Sequence, residues 1–129
     1  VLEPLFFGLD DPSDRFRVVH RTAVLFAALE PDLLKLPFPV DPELITDKAE
    51  RVDACGAITE VCRQPWAILS GGGTFESFAQ QVSDAFAGGA SGFMVGRALW
   101  GEAARARGDE HQRIIDEVVL PRWRALSAI

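Results

Sequence analysis

The sequence predicts an α/β fold with a parallel sheet, and three observations carry that expectation. Short apolar runs recur along the chain, beginning near Val1 (VLEPLFFG), Leu33 (LLKLPFPV), Trp66 (WAILSGGG) and Gly92 (GFMVGRAL). Their spacing is close to the ~30 residues of one βα unit, and each is followed by a segment of helical character. The runs are almost continuously apolar instead of alternating, as in strands covered on both sides by helices.

The elements follow in order. The first helix is expected over about residues 14–29, because Phe16, Val19, Ala23, Phe26 and Ala27 share a face while Arg15, Arg17 and Arg21 lie largely off it. Ser13 or Asp14 is its expected cap. A second helix over about 47–63 gathers Val52, Cys55, Ile58 or Thr59, and Cys62, and Pro65 closes the link to the next strand. A third opens at Thr74, carries Phe75, Phe78, Val82, Ala85 and Phe86 inward, and stops at Gly88 and Gly89. A short helix near 98–106 leads through Gly108 to a last amphipathic helix bearing Ile114, Ile115, Val118, Val119, Trp123 and Leu126, which Pro121 should kink or restart.

Four βα units in 129 residues are about half of a (β/α)₈ TIM barrel, which takes ~250 residues. No linker-like stretch divides the chain, so residues 1–129 are expected to form a single partial domain, the C-terminal half of such a barrel. Open sheet edges are normally paired or covered. The missing half is therefore expected from further sequence or from a second copy, in a homo-oligomer.

Composition limits the function classes. With 13 Lys and Arg against 19 Asp and Glu the net charge is −6, and no clustered basic face suits a nucleic acid. The longest suitable uncharged run, residues 64–75, holds three glycines and a proline and falls short of the ~20 apolar residues of a membrane span. Residues 1–11 lack the pattern of a secretory signal, so a cytoplasmic protein is expected. Cys55 and Cys62 lie seven apart in the second helix. That places their Cα atoms roughly 10 Å apart, beyond disulfide reach, and predicts separate buried thiols on one face. Neither His20 nor His111 is spaced as a metal ligand to them, so no metal is expected.

Lys35 stands in the middle of the most apolar run, one of two lysines beside eleven arginines. A dry strand disfavours the ammonium and favours the neutral amine, which is the nucleophile. The other reading is a lysine that reaches the barrel rim or pairs with a carboxylate. Glu3, similarly enclosed one strand earlier, would be brought near Lys35 in a barrel and could pair with it or shuttle protons; alone, it reads as a solvated chain end. Three glycines, Gly71, Gly72 and Gly73, follow a strand and precede a helix, where backbone N–H groups can face an anion. Gly96 and Arg97 in MVGRALW offer close backbone approach and a positive fork. Barrel enzymes often bind phosphate on the loops after their last two strands.

These residues resemble a known family. LLKLPFPVD, PWAILSGGGTFESFAQQVSDAFAGGASGFMVGRALW and the opening VLEPLFF are similar to strands five to eight of the class I tagatose 1,6-bisphosphate aldolases, a group that includes sulfofructose-phosphate aldolase. The resemblance covers about residues 1–106, with the lysine, SGG and GRA-W in the family's order. It implies a Schiff-base lyase, free of metal and cofactor, that cleaves a ketose (bis)phosphate or a sulfo-sugar phosphate to dihydroxyacetone phosphate and an aldehyde. By motif, Lys35 resembles the Schiff-base lysine, Glu3 the glutamate near it, and Ser70, Gly71, Gly72, Gly96 and Arg97 the phosphate-binding positions. The family's remaining site residues come from its first four strands, which implies little activity for this half alone. Another phosphate-binding barrel enzyme, an isomerase or synthase, would share the loops without needing Lys35; a non-catalytic half-barrel module would need neither.

Overall fold

A computed structural model describes residues 1–5 and 11–129. They group into two compact units, Val1–Leu69 with Asp84–Met94, and Ser70–Ser83 with Val95–Ile129.

The first unit is built on a parallel sheet of β1 (Leu34–Leu36), β2 (Trp66–Leu69) and β3 (Gly92–Met94), in that order. Of the expected four strands, the first is represented among the described residues by an isolated parallel bridge between Leu2 and Leu34. There the Leu2 N–H donates to Leu33 O and the Lys35 N–H donates to Leu2 O, both at 2.9 Å. Pro4 has no N–H with which to extend that ladder, and Phe6, Phe7 and Gly8 of the same run lie outside the described residues. Pro37 likewise ends β1 directly after Leu36.

Helix α1 (Arg15–Ala27) buries Val19, Ala23 and Ala27. Its start differs from expectation. A 3₁₀ turn, Pro12–Asp14, precedes it and is capped by Asp11, whose Oδ1 accepts from the Ser13 N–H at 2.8 Å. Asp14 instead pairs with Arg17. Phe16 is exposed and leans on the His20 ring. Helix α2 (Lys48–Val61) is capped by Asp47, which accepts from the N–H groups of Ala49 and Glu50, satisfying two of the orphan donors at the helix start. The C-terminal turn of α3 (Phe75–Ala87) belongs to this unit. It approaches α2 closely. A Cβ on Gly88 would run into the Cβ of Cys55 and lie 2.8 Å from Val52 O, so only glycine fits. Gly89 adopts φ +94°, the left-handed conformation that ends the helix. The Thr59 hydroxyl donates to Gly88 O at 2.6 Å and accepts from the Trp66 indole at 3.0 Å, tying α2 to both. Leu34, Leu36, Trp66 and Ile68 fill the core beneath.

The second unit contains the start of α3, with the Thr74 hydroxyl accepting from the Ser77 N–H, then α4 (Arg97–Trp100), a 3₁₀ turn Ala103–Arg105, α5 (Gly108–Ile114) and α6 (Leu120–Ser127). The expected helix near 98–106 is split at Gly101, where a Cβ would lie 2.6 Å from Arg97 O. Pro121 acts as the sequence suggests. It follows a wide π-helical segment, Ile115–Val119, whose cap N–H of Leu120 reaches back to Ile115 O, giving room for a ring that an α-turn would crowd. Among the described residues no helix is long and apolar enough to cross a membrane.

Candidate active site

In the first unit Lys35 sits between Leu34 and Leu36, both fully buried. Alternation along a strand sends those two side chains to the face opposite Lys35. The lysine is half-buried, and its Nζ donates to Glu3 Oε2 at 2.7 Å. The amine is therefore not enclosed by apolar groups alone, because a carboxylate from the Leu2 segment is held against it by the bridge to β1. On its other side the residues level with Lys35 are Ala67 on β2 and Gly92 on β3. Nothing larger than a methyl group stands beside the lysine in that row. Chemically, a primary amine with a hydrogen-bonded carboxylate is a nucleophile with a proton acceptor already in place.

The second unit holds the predicted anion-binding residues. Ser70 to Gly73 form a turn in which Gly73 N–H donates to Ser70 O at 3.3 Å. Gly71 and Gly72 take φ +57° and +85°, conformations open to glycine at little cost. Their N–H groups find no acceptor among the described residues, and both residues are exposed. The Ser70 hydroxyl accepts from the Gly96 N–H at 3.5 Å. Gly72 also lies close to the Arg97 guanidinium, a Cβ built there being 3.3 Å from it. Gly96 is not so constrained, its nearest approach being 3.9 Å from Trp100. Of these residues Gly72 and Arg97 line a pocket of about 390 Å³, whose other walls are Trp100, Gly101, Ala104 and Arg105; Ser70, Gly71 and Gly96 are not in its wall. Arg105 was not singled out by the sequence. Its signal was present, since positions 97, 100, 101, 104 and 105 follow the spacing of one helical face.

A second feature escaped the sequence. Arg51, in the first turn of α2, reads as a solvated charge, yet it is buried against Asp84 with Nε to Oδ2 at 2.7 Å. Its Nη1 also donates to Thr46 O at 2.6 Å, so both Nε and Nη1 are partnered. Cys55 is buried and Cys62 half-buried, both as free thiols. Burial, and after it the negative charge of Asp84, pushes the Cys55 thiol up to about 12. Burial raises Cys62 as well. Neither thiol is an activated nucleophile. Among the described residues no three His, Cys, Asp or Glu side chains converge as metal ligands.

The sequence profile of the DeoC/LacD family aldolases matches residues 9–102, well over half of the chain.

Proposed function

Since the chain belongs to the DeoC/LacD family aldolases, we propose that it acts as a class I aldolase of the tagatose-bisphosphate type, cleaving a ketose phosphate or sulfo-sugar phosphate through a Schiff base on Lys35. The observation that carries this reading is the Lys35–Glu3 contact of 2.7 Å on a sheet face cleared by Ala67 and Gly92.

Glu3 takes a proton from the amine, and Lys35 Nζ adds to the ketone carbon. The same carboxyl group returns the proton to the carbinolamine hydroxyl, which leaves as water and gives an iminium. The electron pair of the adjacent carbon–carbon bond then moves into the iminium to form an enamine, while a base removes the hydroxyl proton of the carbon that departs as aldehyde. Ser70, the N–H groups of Gly71 and Gly72, Gly96 and Arg97 are the phosphate ligands, with Arg97 supplying a charged fork.

Among the described residues the sheet is open at β3 and at the Leu2 bridge, and open edges are normally paired. The chain is accordingly read as the C-terminal half of a (β/α)₈ barrel whose other strands come from further sequence or a second copy. An isolated 129-residue chain is expected to turn over poorly. The test is borohydride reduction of the complete enzyme with dihydroxyacetone phosphate, followed by mapping of the adduct by mass spectrometry. A single adduct on Lys35 supports the reading; an adduct elsewhere, or none, removes it.

A further inference from the structure

We propose that Arg105 is a second guanidinium for the anionic end of the substrate, and that its pocket selects a phosphate dianion over a sulfonate monoanion. The inference deepens the reading of the Ser70 and Arg97 region as a phosphate site and rests on it.

Arg97 and Arg105 both line the pocket of about 390 Å³, and neither forms an ion pair or side-chain hydrogen bond among the described residues. The other charged side chain on the short segment between them, Glu102, is engaged by Arg122 at 2.9 Å and is not part of the pocket wall. Two positive groups thus face the same space with no internal counter-charge. Trp100, itself 44% exposed, adds an apolar wall to the pocket. The N–H groups of the exposed Gly71 and Gly72 lie on the adjoining turn.

One guanidinium satisfies a monoanion; two matched guanidinium groups favour a group with two charges and three acceptor oxygens. A phosphomonoester becomes that dianion above its second pKa of about 6, whereas a sulfonate stays a monoanion. Arg105 therefore distinguishes a phosphate from a sulfonate at this anionic end, where Arg97 alone would accept either.

The test uses glycerol 3-phosphate, which has no carbonyl for Lys35, and 2,3-dihydroxypropane-1-sulfonate, both titrated calorimetrically into the complete enzyme. The parent is expected to bind the phosphate about tenfold more tightly than the sulfonate at pH 7.5, with the preference shrinking as pH falls below about 6. Arg105→Gln should lose about tenfold in phosphate affinity and most of the pH dependence, while keeping its sulfonate affinity, which also shows that the pocket is folded. Arg105→Lys should recover part of the loss. Arg97→Gln should weaken both ligands. If Arg105→Gln keeps the parent's preference and pH profile, or the parent shows no preference, the inference about Arg105 fails while the phosphate site stands. If the parent binds neither ligand, the phosphate reading itself falls and this inference with it.

Discussion

Lys35–Glu3 and Arg51–Asp84 are both ion pairs of the first unit, and both close at 2.7 Å. Their surroundings differ. The Arg51 and Asp84 side chains are 11% and 0% exposed, against 23% and 36% for Lys35 and Glu3. In the buried pair Arg51 Nη1 also donates to the loop carbonyls of Ile45 and Thr46, so the pair joins the start of α2 to the end of α3. In the open pair the lysine has a carboxylate on one side and only Ala67 and Gly92 on the other, so the amine stays approachable. Equal geometry thus ties two elements together in one place and leaves an approachable amine in the other, and burial makes the difference.

The largest effect on stability is expected at the buried pair. Asp84→Ala leaves an uncompensated buried guanidinium and should cost about 3–5 kcal/mol by denaturant titration. A loss below about 1 kcal/mol would mean that water reaches Arg51 and that the contrast between the pairs is false. Glu3→Gln removes the carboxylate charge of the open pair. It should change stability by no more than about 1 kcal/mol and lower turnover by about 10²–10⁴-fold in the complete enzyme. A variant that is destabilised yet fully active would reverse the assignment.

The smallest effect is one of pH. The buried Cys55 thiol ionises near 12 instead of near 9, so the unfolded chain releases its proton first as pH rises. The stability tied to this thiol is complete below pH 9 and is lost toward pH 12. Unfolding measured across that range should show a falling slope that Cys55→Ala reduces; an unchanged slope would show that the thiol is not desolvated.

What was legible in the sequence follows the same division. A lysine inside LLKLPF stands out because the strand around it is otherwise apolar, and three glycines after WAILS mark a turn through their conformational freedom. Arg51 gave no signal. A charge in the first turn of a helix looks solvated, and its partner lies 33 residues away, a pairing that no local pattern encodes. The first apolar run is seen only as the Leu2 bridge among the described residues, where Pro4 supplies no N–H to continue the ladder. Arg105 followed a helical spacing but was masked by the arginines around it in ARARG.

The central claim is that Lys35 is present for reaction and not for cohesion. The most direct measurement is the turnover of Lys35→Met beside its unfolding midpoint, made on the complete enzyme with a ketose bisphosphate. The account predicts turnover reduced by about 10³-fold or more with the midpoint nearly unchanged. Turnover at the level of the parent would contradict it.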